Sequence, residues 1–324
     1  MADPERGNTR IAGGRVQRRE QRRLGELPGK RVLASARADQ EHLHAPSVEA
    51  ALDTSRNVGQ GHDVAGPGST QFHFSAEIYD LGVGRYGNAL GAAHAKAIEV
   101  HPGDRALDVG CGPGALTLAL AGIVGPENVC AADPSPPFVE ACAARVPGAD
   151  VRLAAAEALP DFGVHFDVVS SQLVVNFMTD PGIGVRAMRA AARPGGTVAS
   201  VVWDYAGEMW MLRHFWDAAV ALDPDAPDEG RTMRNCSPDE LAALWRTCGM
   251  SDIQTAELVV EAAYNDFTDY WSPFPTGIGP WGAYCASLDS KRQEALRQEC
   301  HRRLGSPAGG FELTARAWLV RGTA

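Results

Sequence analysis

The residues best suited to chemistry lie in one glycine-rich segment, Asp108-Val-Gly-Cys-Gly-Pro-Gly114, between a strand-like and a helix-like apolar run. Its glycines let the backbone turn tightly and approach a ligand without a Cβ in the way. The N-terminus of the following helix supplies unpaired N–H groups and partial positive charge, which suit a carboxylate. The Asp108 carboxylate can face a ligand's ammonium group or a water near it. The segment therefore predicts a site for an amino-acid moiety.

The glycine spacing alone leaves the ligand open. Gly110-x-Gly112-x-x-Ala115 also fits the dinucleotide fingerprint of nicotinamide-dependent enzymes. A carboxylate at position 108 would repel a pyrophosphate, which favours the cationic ligand. A nicotinamide-dependent oxidoreductase and a non-catalytic cofactor-binding protein remain the alternative hypotheses.

A second acidic residue, Asp133, ends the apolar run that begins at Val129. A carboxylate at the end of this strand can accept hydrogen bonds from both hydroxyls of a ribose. The run Asp133-Pro-Ser-Pro would also serve as a helix cap. Because the glycine loop lies upstream, we favour ribose binding.

Alternating strand-like and helix-like runs position these residues and predict a parallel sheet with helices on both faces. The runs are Arg105–Val109, Gly114–Val124, Asn128–Asp133, Pro136–Arg145, Asp150–Leu153, Phe166–Ser171, Gly184–Ala192 and Thr197–Trp203. The first and last strands are mostly apolar, as expected of strands buried on both faces. An amphipathic helix before the first strand carries His94 on its apolar stripe, where a packed core histidine is the favoured interpretation.

After Trp203 the regular alternation of strand-like and helix-like runs ends. The later runs are helical at Met209–Leu222, Pro238–Cys248 and near Ser287–Leu304, and strand-like at Ile253–Ala262 and Phe311–Arg321. We expect the last strand to lie at or near a sheet edge. The aromatic, turn-rich segments 270–274 and 279–284 fit either a mobile lid over an apolar substrate or ordinary core packing.

Together the motifs resemble those of class I S-adenosylmethionine-dependent methyltransferases. Leu107–Gly114 is similar to their motif I, and Ala132-Asp-Pro-Ser135 to its partner. The segments 156–160, 166–169 and 192–196 resemble the type-11 subgroup, which includes ubiquinone and menaquinone methyltransferases. The match covers residues 79–204 in order and spacing. It implies an α/β Rossmann-like fold, with a mostly parallel seven-stranded sheet, helices on both faces and C-terminal helical lid insertions.

The resemblance implies S-adenosyl-L-methionine as the cofactor and assigns its contacts. The glycine loop would approach the methionine portion, Asp133 the ribose, the turn at Glu157 the adenine, and the end of the fourth strand the sulphonium. The implied cofactor-binding residues are Tyr79, Arg85, Asp108, Gly110, Cys111, Gly112, Gly114, Asp133, Pro134, Ala156, Glu157, Ser171 and Gln172. Ala155 is a departure, because many relatives carry an aspartate there that accepts from the adenine amino group.

Tyr79 and Arg85 belong to a segment that resembles the part of this subgroup that folds over the cofactor. The Arg85 guanidinium could pair a carboxylate in bidentate fashion. An ordinary surface turn is an equal alternative.

The implied reaction is in-line attack by an acceptor atom on the cofactor's methyl carbon. Alignment supplies much of the acceleration, and a general base helps only where the acceptor must lose a proton. Candidate bases are Asp204, at the end of the fifth strand, and His214, on the next helix. For His214 a packed position on an aromatic helix is favoured.

Composition limits the partners. The chain has 324 residues and a net charge of −10, and residues 64–324 hold 31 acidic and 19 basic residues, so nucleic acid is a poor substrate. We expect a small-molecule substrate, an acceptor with an O, N or C nucleophile that is apolar or aromatic, and a monomer or homodimer. No apolar run is long enough to cross a membrane, and we predict a cytoplasmic protein without membrane insertion.

Two further expectations concern the cysteines and the domains. The seven cysteines include no C-x-x-C pair, which argues against a disulfide framework and a metal site. Residues 1–70 are predicted to be a disordered or weakly structured tail, and residues 71–324 a methyltransferase domain. Within it we expect a cofactor-binding core at about 89–204, a substrate and lid region at about 205–310, and a final strand at about 311–321.

Overall fold

The computed structural model describes residues 30–32 and 76–324 of the chain. The strands are β1 (Lys30–Val32), β2 (Ala106–Val109), β3 (Val129–Asp133), β4 (Asp150–Leu153), β5 (Phe166–Gln172), β6 (Ala192–Trp203), β7 (Ser251–Tyr264) and β8 (Phe311–Thr323). The helices are α1 (Ala76–Leu81), α2 (Gly87–Ala97), α3 (Ala115–Val124), α4 (Pro136–Arg145), α5 (Pro181–Ala191), α6 (Trp210–Leu222), α7 (Glu229–Thr232), α8 (Pro238–Thr247), α9 (Phe267–Trp271), α10 (Gly279–Ser287) and α11 (Ser290–Arg303).

The strands form one sheet in the order β1-β8-β6-β5-β2-β3-β4, with β7 pairing the other side of β8. Strands β4, β3, β2, β5 and β6 are parallel, and β8 runs antiparallel to β6 and to β7. The predicted mostly parallel seven-stranded sheet is confirmed as β2–β8, and β1 adds a short eighth strand. The final strand lies next to the edge strand β7.

Each face of the sheet carries its own buried core, which is why the inner strands β2, β3 and β5 are buried along most of their length. On one face, Val168 and Val201 pack with side chains of α2, α3 and α6. On the other, Val169 and Val202 pack with side chains of α5 and α8. Neighbouring residues of a strand point to opposite faces. Helices therefore cover both faces, as predicted.

Local capping fixes where the helices start. Asp180 accepts the Ile183 N–H at the start of α5, and Ser237 accepts the Glu240 N–H at the start of α8. A proline follows each cap at the first helical position, where its missing N–H costs no hydrogen bond.

The aromatic residues of the C-terminal third form a packed core. The rings of Phe215 and Phe274 stack at 4.4 Å between centroids, and Trp281 meets Phe274 edge-on at 5.3 Å. Trp271 and Trp281 are 8% and 3% exposed. Of the two interpretations of these segments, the geometry supports core packing.

Little of the predicted N-terminal tail falls within the described residues. The exception is β1, whose Lys30 and Val32 pair with Leu313 and Phe311 of β8. The rest of residues 1–70 lies outside the described part, so its weak structure stays a prediction. Among the described helices, none has both the length and the apolar character needed to cross a bilayer.

Candidate functional site

A cavity of about 400 Å³ opens at the carboxyl ends of β2, β3 and β5. In an open parallel sheet, this edge is where ligands bind. The sequence-predicted residues among its walls are Tyr79, Gly110, Cys111, Gly112, Asp133, Pro134, Ala156, Glu157 and Gln172. The chain therefore brings most of the predicted cofactor contacts to one space.

The glycine loop is held in place by backbone hydrogen bonds. The N–H groups of Gly110 and Cys111 both donate to the carbonyl of Ala132, at 2.7 and 3.0 Å. Gly110 has φ +72°, and a Cβ built there would lie 2.4 Å from the Val174 side chain. Gly112 has φ +52°, and a Cβ there would meet no atom within 4 Å. The loop is thus tight behind Gly110 and open toward the cavity at Gly112.

The Asp133 side chain links the end of β3 to this loop. Its Oδ2 accepts the Gly112 N–H and its Oδ1 accepts the Ser135 N–H, both at 2.9 Å. The carboxylate is only 6% exposed. Burial raises the pKa of Asp133 to about 6, against the opposing effect of the two N–H donors. Asp133 therefore shapes the turn before α4 and also faces the cavity.

Asp108 lies beneath the loop and is not among the cavity walls. It is fully buried, and its Oδ2 accepts the Thr117 hydroxyl of α3 at 2.7 Å. Its Oδ1 has no hydrogen-bond partner among the described residues. Burial raises the pKa of Asp108 to about 7, the Thr117 hydrogen bond lowers it, and the Asp133 charge raises it. Gly114 also does not line the cavity. It has φ +92°, and a Cβ built there would lie 3.0 Å from the Cys142 Sγ.

Glu157 is already bonded to the next loop. Its Oε1 accepts the N–H of Thr179 at 2.8 Å and that of Asp180 at 3.3 Å. The departure residue Ala155 also lines the cavity. A ligand at this end would meet backbone groups and the apolar Ala155 and Ala156.

At the end of β5, the two predicted residues differ. Gln172 lines the cavity and donates its Nε2 hydrogen to the Gly87 carbonyl at 3.2 Å. Ser171 is buried away from the cavity and donates to the Ser200 hydroxyl at 2.9 Å. His94 is fully buried within 2.9 Å of the Ser170 hydroxyl, and burial lowers its pKa to about 3. It is a neutral core histidine.

Tyr79 lines the cavity, whereas Arg85 points elsewhere. The Tyr79 ring meets Phe138 edge-on at 5.7 Å. The Arg85 guanidinium bonds both carboxylate oxygens of Asp269, at 2.5 and 3.0 Å, and lies 4.5 Å from the Tyr264 ring centroid. The predicted bidentate pair exists, but its carboxylate belongs to α9 of the protein itself.

The two candidate bases are not brought to the cavity walls. Asp204 accepts Arg316 Nη2 at 2.8 Å and the Glu208 N–H at 2.8 Å, which ties the end of β6 to β8. His214 is 7% exposed on α6, with its ring 5.7 Å from that of Trp210. This placement agrees with the interpretation favoured from the sequence, in which His214 is packed on an aromatic helix.

A polar group that the sequence did not predict lies in the turn after β5. Asn176 follows β5 in the turn that lines the wall, and its Nδ2 lies 3.4 Å from the Tyr205 hydroxyl. Glu229 is buried nearby, accepts the Trp216 indole N–H at 2.8 Å, and has a pKa raised by burial to about 7. The positions of Asn176 and Tyr205 just after parallel strands were the available signal.

One ion pair at the rim was also missed. Asp80 of α1 and Arg145 of α4 both line the cavity and pair at 2.8 Å. In the described part of the chain, no group of three or more His, Cys, Asp or Glu side chains could hold a metal ion. The prediction of no metal rests on the sequence alone.

Residues 107–200 match the family model described as a methyltransferase domain. The ubiquinone/menaquinone biosynthesis C-methyltransferase UbiE of Burkholderia vietnamiensis is 30% identical over 172 residues, covering 50% of this chain and 68% of that protein. An uncharacterized 37.1 kDa protein in transposon TN4556 of Streptomyces fradiae is 34% identical over 104 residues. That match covers 31% of this chain and only 30% of the transposon protein.

Among solved structures, phosphoethanolamine N-methyltransferase 2 of Haemonchus contortus, in complex with S-adenosyl-L-methionine, is similar with a TM-score of 0.49. The sequence identity is 15%, and the match covers 80% of this chain and 60% of that one.

Proposed function

Since this chain belongs to the type-11 family of class I S-adenosylmethionine-dependent methyltransferases, we propose that it methylates a small-molecule acceptor through an O, N or C atom. We propose further that the acceptor is apolar or aromatic. One observation carries the proposal: Gly112 and Asp133, hydrogen-bonded to each other, line the same cavity.

The walls fit the cofactor's separate parts. Asp133 offers a buried carboxylate that can accept from ribose hydroxyls. Gly112 leaves open space where a side chain would otherwise project. Ala155 and Ala156 provide an apolar wall for a base. The bound cofactor supplies a methyl group activated by its cationic sulfur.

The chain's own residues bind and orient the ligands and exclude water from the cavity. Tyr79 and Phe138 line one side of the cavity, and Gln172 lines it at the end of β5, held by the bond from its Nε2 to the Gly87 carbonyl. Gln172 is placed to orient groups at the donor end. Because alignment of acceptor and methyl provides much of the rate, no general base needs to be assigned.

We propose that the acceptor approaches along the ends of β5 and β6. Asn176 and Tyr205 supply polar atoms there, and the side chains of Phe177 and Met178 supply apolar walls. This mixture of a few polar groups in apolar surroundings is typical of small-molecule sites. The acidic net charge of −10 supports a partner other than nucleic acid.

Two measurements test the proposal. In calorimetry, S-adenosylhomocysteine should bind with a dissociation constant in the range of about micromolar, near −8 kcal/mol, and NAD(P) should not bind. Incubation with methyl-labelled cofactor and a panel of phenols, quinols and amines should label at least one acceptor. NAD(P) binding would favour an oxidoreductase, and cofactor binding without any labelled product would favour a non-catalytic protein. Size-exclusion chromatography with light scattering checks the expected monomer or homodimer.

A further inference from the structure

Two cysteine thiols lie against each other at the cofactor loop. Cys111 belongs to the glycine-rich turn and lines the cavity, and Cys142 lies fully buried on α4. The two side chains pack together with Ala131 of β3, close enough for each thiol to shift the pKa of the other. Neither is in a disulfide.

The surroundings hold this pair in a fixed geometry. The Cys142 Sγ lies 3.4 Å from the Thr117 hydroxyl, and a Cβ built on Gly114 would lie 3.0 Å from the same sulfur. Thr117 is in turn bonded to the carboxylate of Asp108. Helix α4 is therefore packed directly against the loop that binds the cofactor.

The two thiols differ in acidity. The Cys111 neighbour lowers the pKa of Cys142 and burial opposes it, whereas the Cys142 neighbour and burial both raise the pKa of Cys111. The nearby carboxylates of Asp108 and Asp133 raise the pKa of both thiols. A thiolate is the reactive form of cysteine, so Cys142 is the better nucleophile of the pair.

We propose that Cys111 and Cys142 are an oxidisable dithiol whose disulfide and the bound cofactor exclude each other. The oxidant is a small peroxide, which reaches the pair through the cavity that Cys111 lines. One sulfur, as thiolate, attacks a peroxide oxygen, the O–O bond breaks, and the departing hydroxide takes a proton to become water. The second sulfur displaces the hydroxyl of the resulting sulfenic acid and releases a second water. The two thiols lose two electrons and the peroxide gains them.

The exclusion follows from the position of Cys111 between Gly110 and Gly112. A disulfide draws its side chain toward α4 and fixes the middle of the loop, next to the Gly112 N–H that binds Asp133. The loop then loses the shape that faces the cavity. Linkage requires the converse, that a bound cofactor disfavours the disulfide. This inference rests on the cavity being the cofactor site.

The test uses the full chain treated with hydrogen peroxide, followed by alkylation of free thiols and peptide mass mapping. We expect a cross-linked Cys111–Cys142 peptide and at least about a tenfold weaker affinity for S-adenosylhomocysteine, restored by dithiothreitol. Saturating S-adenosylhomocysteine should slow the cross-link.

Two variants separate this effect from general damage. Cys142→Ser should bind S-adenosylhomocysteine as wild type does and keep that affinity after peroxide. Cys130→Ser, which changes a half-buried cysteine of β3, should stay as sensitive as wild type. The proposal is overturned if no cross-linked peptide forms, if the cross-linked protein binds as before, or if Cys142→Ser loses affinity after peroxide. Untreated wild type that fails to bind S-adenosylhomocysteine would instead defeat the cofactor site itself.

Discussion

The Asp133 carboxylate accepts the Gly112 N–H at 2.9 Å, so the end of β3 and the loop after β2 form one hydrogen-bonded unit. The same carboxylate accepts the Ser135 N–H at the start of α4. Both contacts use backbone donors, which leave the outer lone pairs of the carboxylate for a ligand. The shape of the loop and the proposed ribose contact therefore depend on one side chain.

Replacing Asp133 with alanine should weaken binding of S-adenosylhomocysteine. Each charge-assisted hydrogen bond lost costs about 1.5–3 kcal/mol, which is roughly tenfold or more in the dissociation constant. Calorimetry measures the change, with the exposed Asp239→Ala on α8 as the matched control. An unchanged affinity in Asp133→Ala would remove this residue from the site.

Binding should also weaken in acid. Burial raises the pKa of Asp133 to about 6, so the carboxyl of the free protein takes up a proton as the pH falls through that value. A protonated carboxyl accepts ribose hydroxyls less well than a carboxylate does. We expect the affinity for S-adenosylhomocysteine to fall between pH 7 and 5, and for Asp133→Asn to lose most of that dependence. A flat profile in wild type contradicts the assignment.

Asp108 should make the stability of the ligand-free protein depend on pH in the opposite direction. The folded-state pKa of Asp108 is raised to about 7, above its ordinary value of 3.8. Between these values the folded state binds the extra proton, so the contribution of Asp108 to the free energy of unfolding decreases as the pH rises from about 4 to 7. Buried His94, whose pKa is lowered to about 3, contributes in the opposite sense below pH 6.5, so thermal unfolding of wild type and Asp108→Asn is compared at several pH values. Relative to wild type, Asp108→Asn, which resembles the neutral acid, should gain stability as the pH rises, and an identical pH dependence would exclude the Asp108 contribution.

The two loop glycines should respond differently to alanine. At Gly110 the new Cβ would lie 2.4 Å from Val174, so Gly110→Ala should lower the melting temperature and disturb the cavity wall. At Gly112 the Cβ enters open space, and the left-handed backbone costs only about 1–2 kcal/mol. Gly112→Ala should therefore fold and lose cofactor affinity. Normal affinity in folded Gly112→Ala would show that the loop does not face the ligand there.

Asp204→Asn should act on stability and leave the pH profile of methyl transfer unchanged. Its carboxylate bonds Arg316 at 2.8 Å and the Glu208 N–H, and each lost charge-assisted bond costs about 1.5–3 kcal/mol. Arg316→Lys provides a comparison that keeps the charge and loses the bidentate geometry. If Asp204→Asn instead loses one limb of the pH profile of methyl transfer and keeps a normal melting temperature, Asp204 would be supported as the general base.

The sequence predicted best where local pattern and function coincide. Segments such as 136–145 and 150–153 have the predicted bounds, because their apolar periods and flanking turns are local signals. The Gly112–Asp133 convergence followed from the rule that ligands bind at the carboxyl ends of parallel strands. Pairings between distant residues, such as Arg85 with Asp269, leave no local pattern. The pairing of Asp204 with Arg316 leaves no local pattern either. Asp204 was therefore predicted to be a catalytic base from its position at the end of a strand.

The position of β8 has a consequence for how the chain assembles during synthesis. Strand β8 follows β7 in the chain but lies between β6 and β7, so these two earlier strands reach each other only through it. Until β8 emerges from the ribosome, the outer edge of β6 lacks the partner strand that it has in the described sheet. An exposed apolar edge attracts other strands. Between translation of β6 and translation of β8, this edge of β6 is therefore open to pairing with other strands.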